Sequence, residues 1–140
     1  MNIFQISCSL VFYCTLAASP VRADDNYPPL DILLSSSEST ISQNISYPAG
    51  PAKITAAIIT MQPGQKTGWH KHEVPLFGYI MVGELSVDYG SAGVKTYHAG
   101  DSFIEAFLTE HNGENTGNGI VRIMAVFAGS QDVKNTVMEK

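Results

Sequence analysis

The alternation His70-Lys71-His72, which follows the turn Pro63-Gly64, constrains this chain more than any other feature. Side chains of a β-strand alternate between its two faces, so a strand turns both imidazoles one way and Lys71 the other. Two imidazoles on one face can share a metal ion. A third histidine, His111, stands beyond Gly100-Asp101 and is followed by Asn115. Imidazole suits Fe, Mn, Zn, Ni and Cu alike, so the three residues define a site for one divalent first-row transition metal without naming it.

The chain around them reads as all-β. After Pro51, short runs rich in β-branched and aromatic residues are separated by Gly and Asn turns, with no helical periodicity. Strands are expected near 53–61, 69–73, 77–89, 94–98, 101–106, 111–115 and 119–128. Such regular spacing suggests a sandwich or barrel. One domain is the economical count for 140 residues.

The spacing of these residues resembles that of the cupins, small metal-binding β-barrels. Their first motif, a glycine, five residues, His-x-His, then a glutamate and a later glycine, is matched by Gly64, His70, His72 and Gly83. The glutamate position, counted back from Gly83, falls on Leu76, which cannot ligate. Their second motif, Pro-x-Gly followed by His and then Asn, is matched by His98-Ala99-Gly100, His111 and Asn115, with His98 in the place of proline. The resemblance covers roughly residues 53–128. It implies a small single-domain (type 2) cupin: a double-stranded β-helix, or jelly-roll barrel, here over 53–130 with a C-terminal tail over 131–140. It also implies a homodimer, in which an arm over 24–52 adds edge strands to a partner or lies on its own barrel.

Residues 1–23 are expected to be a signal peptide. Phe4 to Ala18 is an apolar run of the right length, and Val21-Arg22-Ala23 places small residues where a signal peptidase reads. Cleavage there makes the protein periplasmic or secreted, with no membrane attachment afterwards, and removes Cys8 and Cys14, the two cysteines of the chain. Loss of Arg22 leaves seven basic against thirteen acidic residues, about −6 in all. An acidic chain with no basic cluster is a poor partner for nucleic acid.

Leu76 in place of glutamate leaves three protein ligands and open coordination positions, the arrangement of catalytic rather than structural metal sites. Glu73 and Glu110 adjoin ligands and so turn away from them. Glu105 shares a face with the apolar Phe103 and is the candidate catalytic acid or base. Leu85 and Val87, with Leu76, Phe77, Tyr79, Met81, Phe103 and Phe107, are the candidate pocket lining, and Trp69 belongs outside. Asn115 is expected to support the site by fixing the turn after the third ligand. His98, at a strand end, is not expected to ligate. Two functions remain open: a metal-dependent dioxygenase acting on a small, partly apolar molecule, or a non-catalytic module that binds or senses metal or a small ligand. Mass spectrometry of the mature protein should find Asp24 at its amino terminus; an intact Met1 on soluble, non-exported protein would refute the leader.

Overall fold

The computed structural model describes residues 28–139, and from Asp31 onward the chain forms one compact unit. The leader expected over 1–23, with Cys8 and Cys14, lies outside the described residues. Among those described, nine strands follow one another: β1 (Ala52–Met61), β2 (His70–Lys71), β3 (Leu76–Val82), β4 (Glu84–Asp88), β5 (Val94–His98), β6 (Ser102–Ile104), β7 (Asn112–Asn115), β8 (Val121–Ser130) and β9 (Val137–Met138). No helix among them is long and apolar enough to cross a membrane.

The strands form two antiparallel layers. One sheet has the order β1-β8-β3-β6. In the other, β5-β4-β7 is continued by the pair β2-β9, because His70 and His111 bridge the ends of β2 and β7. Met61, Ile80, Phe103, Val121 and Ile123 of the first sheet share one buried cluster with Leu85, Val87 and Tyr97 of the second. Alternation dictates this packing: along β8 every second residue from Val121 to Phe127 is buried. The result is a jelly-roll barrel.

One expected strand, 77–89, is two. Gly83 adopts φ +85°, a left-handed conformation that costs a side chain dearly, and a Cβ there would collide with the Ile120 carbonyl oxygen. The chain therefore turns at Gly83 and passes from one sheet to the other. Just before the turn, the pairing with β8 skips from Ile80↔Ile123 to Val82↔Arg122, leaving Met81 as the extra residue of a bulge. An extra residue reverses the phase of alternation. In β3 the even residues Leu76, Gly78 and Ile80 are buried, whereas in β4 the odd residues Leu85 and Val87 are.

Both flanking segments pack on the barrel. The arm contributes no edge strand among the described residues, only the single bridge Glu38↔Asn44. It lies on its own barrel, where the Thr40 amide donates to Ile104 O at 2.8 Å and covers the edge of β6. Gln43 holds Phe107 from both sides, donating to its carbonyl at 2.9 Å and accepting from its amide at 3.2 Å. The C-terminal tail instead contains β9, which pairs with β2 in the register His70↔Met138 and Lys71↔Val137. An ion pair, Lys71–Glu139 at 2.7 Å, ties the tail down outside the barrel.

Candidate metal centre

His70 and His111 face each other across two neighbouring chain segments. Their backbones exchange both hydrogen bonds, His70 N–H to His111 O at 3.0 Å and His111 N–H to His70 O at 2.9 Å. Paired residues of an antiparallel ladder point to the same face, and His72, two positions from His70, joins them. All three are buried inside the barrel, with ring centroids 4.4–5.0 Å apart. Their donor nitrogens lie within 4.8 Å of one another, positioned to bind one metal ion.

The protonation of each ring follows from what its Nδ1 touches. That of His70 lies 2.8 Å from Gly68 O, that of His72 2.9 Å from Asn135 O, and that of His111 2.9 Å from Thr109 O. A carbonyl can only accept, so Nδ1 carries the proton in all three and the Nε2 lone pair is left bare. His111 Nε2 is buried without a hydrogen-bond partner, a costly state for a polar atom that a cation would relieve. Three neutral imidazoles, oriented through Nδ1 with Nε2 free, are the donor set a first-row ion requires.

Glu105 stands beside them. It follows β6 directly, and its amide donates to Leu76 O at 2.9 Å, which sets it opposite Leu76 across the ladder. Its Oε2 lies 3.9 Å from His111 Nε2, and its Oε1 accepts from the Ala106 amide at 2.7 Å. The carboxylate absent from position 76 is thus present on the neighbouring strand. Burial pushes the Glu105 pKa up to about 7, against the pull of the Tyr89 hydroxyl and the Ala106 amide. The Tyr89 hydroxyl continues outward to Tyr97 at 3.1 Å, whose own hydroxyl meets Thr40 Oγ1 of the arm at 2.7 Å.

The site opens into a cavity of about 220 Å³ between the sheets. Leu76, Phe103, Leu85 and Val87 line it as the sequence indicates. Phe77, Tyr79, Met81 and Phe107 do not. The bulge at Met81 turns the odd residues of β3 to the outer face, leaving Phe77 and Tyr79 half-buried and Met81 exposed. Phe107 is held in the loop under Gln43. Gly78 takes part instead by lacking a side chain, since a Cβ there would sit 2.5 Å from the Phe103 ring.

Asn115 is fully buried and fixes backbone: Nδ2 donates to Met61 O at 3.0 Å and Gly119 O at 2.8 Å, and Oδ1 accepts from the Gly117 amide at 3.0 Å. His98 is exposed and sits 3.4 Å from Glu84. Trp69 lies outside the cavity, and Glu73 and Glu110 do not line it. Sequence reasoning missed the tail. Asn135 orients His72, and Thr136 and Met138 line the cavity. The alternation of Val137 and Met138 is too short to announce a strand.

Residues 57–127 match the family model described as the cupin domain, and the chain belongs to that family. None of the curated proteins matches it. Among solved structures it is similar to the oxalate decarboxylase of Lactobacillus farciminis in its formate complex, with TM-score 0.53 and 24% identity over 61% of this chain and 26% of that one. It is also similar to the oxalate decarboxylase of Bacillus subtilis, a protein with Mn(II) centres, with TM-score 0.50 and 26% identity over 61% of this chain and 23% of that one. The chain therefore spans about a quarter of the length of these neighbours.

Burial lowers the pKa of His72 to about 3 and also lowers those of His70 and His111, outweighing the carbonyl bonds that raise them. Between about 3 and 6.5 the folded, metal-free protein thus binds fewer protons at His72 than the unfolded chain does. The stability tied to the neutral rings is complete above 6.5 and is lost as pH falls through that window. Glu105 acts oppositely: raised from 4.5 to about 7, it favours the fold at low pH and loses that contribution as pH rises toward 7. Three histidines outweigh one acid, so urea midpoints of metal-free protein should fall on acidification across the window. His72→Asn should make the fall shallower; an equally steep profile in that variant would refute the assignment.

Proposed function

We propose that this cupin is a metal-dependent enzyme acting on a small, partly apolar molecule, with an oxygenase as the specific reaction type. The observation that carries it is the pairing of three converging neutral histidines with a buried acid 3.9 Å from one of them. A divalent ion held by the imidazoles would supply Lewis acidity and positions for a ligand. His70, His72 and His111 would hold it, each oriented by a backbone carbonyl. Glu105, with its pKa near neutrality, can take a proton from a ligand seated against the histidines and return it. The apolar walls exclude water from that exchange.

Metal analysis of protein from its own exported compartment, followed by an oxygen-uptake screen with the metal found, tests this reading. Glu105→Gln should keep the metal content and lower turnover by about 100-fold or more, the usual range for loss of a general acid or base. Loss of metal in that variant would make Glu105 a ligand. Full metal content with no oxygen uptake on any small substrate would leave the non-catalytic binding module as the function.

A second copy of the chain is the proposed partner. β1 is an edge strand of ten residues whose outward Ile54 and Ile58 are exposed, and a long apolar edge of this kind invites pairing. Light scattering should give twice the chain mass, and Ile54→Lys/Ile58→Lys should halve it. A monomer in the unsubstituted protein would refute the pairing.

A further inference from the structure

The cavity has a charge character that narrows what can occupy it. Leu76, Leu85, Val87, Phe103, Ile123 and Phe127 make its walls, and its ionisable groups are the three histidines and Glu105. Among the described residues, no lysine or arginine lines it. The cations nearest in sequence to the ligands are engaged elsewhere: Lys66 with Glu114 at 3.1 Å, Lys71 with Glu139 at 2.7 Å. Lys95 bonds the Thr40 carbonyl, and Arg122 alternates with Val121 and Ile123 and so faces outward.

Neutral imidazoles bring no charge, so the positive charge available to a ligand is that of the metal. One anionic group of the ligand, or two close enough to chelate, can meet it there. A second group held several carbons away would lie among walls that are mostly apolar or against Glu105, with no lysine or arginine to pair with it, and an unpaired buried charge is expensive. The walls reward an apolar body instead. A volume of about 220 Å³ lies below the range of drug-sized pockets, so that body is short.

We propose that the ligand of this centre is a small monoanion with an apolar body, such as a short monocarboxylate or enolate, and not a dicarboxylate whose groups are too far apart to share the metal. The inference rests on the reading of the histidines as a metal site and adds the charge class of the ligand.

Calorimetric titration of the full chain loaded with Zn(II) tests it, with acetate, butyrate and hexanoate set against succinate. Affinity should rise about two- to fourfold per added methylene, the effect of burying a CH₂ group. Butyrate should bind at least about tenfold more tightly than succinate, which has the same four carbons and one more charge. A flat chain-length series would overturn the proposal, as would succinate matching butyrate. Zinc content is measured on the same sample. Failure to take up one ion per chain would sink the metal reading itself, whereas normal uptake with a dicarboxylate preference would sink only the charge class. Ile59→Arg, on β1 where it lines the cavity and remains accessible, should shrink the butyrate-to-succinate ratio; an unchanged ratio would count against the cavity as the binding place.

Discussion

The double hydrogen bond between the backbones of His70 and His111 is the interaction on which the site depends. Among the described residues it is the one β-bridge that joins the ends of β2 and β7. Without it, residues 41 positions apart in sequence would not present their rings to one another. The pairing fixes the face and the spacing together, because a hydrogen-bonded antiparallel pair allows one relative placement of its Cβ atoms. A slip of one residue would send an imidazole to solvent. The backbone thus sets the place of the centre.

Around that pair, each ring is oriented by a different part of the chain. His70 is held by Gly68, before its own strand; His111 by Thr109, likewise; and His72 by Asn135, from the far end of the molecule. The tail is therefore structural to the site, and the ladder β2-β9 and the Lys71–Glu139 ion pair keep it in place. The arm reaches the site from the other side through Thr40, Tyr97 and Tyr89 toward Glu105. Both segments that look peripheral in sequence reach the histidines, the tail directly through Asn135 and the arm through a relay of side chains.

The ladder brings an acid to the cavity from the segment beside position 76. Leu76 and Glu105 are paired across β3 and the end of β6, so their side chains share a face of the sheet. Apolar volume on one strand and a carboxyl on the next give the cavity an acid, but the acid lies to one side of the histidine cluster. Its Oε2 is 3.9 Å from His111, outside the compact set of three donors. The geometry sets the carboxyl apart from the three imidazoles.

Much was legible in the sequence for a simple reason: the strand period is two. Alternation placed His70 and His72 together and Lys71 opposite, separated Glu105 from Glu110, and put Phe103, Leu85 and Val87 inside, while the glycine and histidine spacings carried the family and its fold. The same rule misplaced Phe77, Tyr79 and Met81, because a period can be carried along a chain only as far as its phase is unbroken. The bulge at Met81 and the left-handed turn at Gly83 break it, and neither is announced by a side-chain pattern. Contacts between distant segments were equally hidden: Asn135 on His72, Gln43 on Phe107, β9 on β2. The sequence by itself determined that His70 and His72 share a face and which class of barrel holds them, since local alternation and turn geometry are properties of short stretches. Only the tertiary structure decided which carboxyl stands by the histidines, which walls line the cavity and which end of the chain orients His72, since those depend on register between strands far apart in the chain.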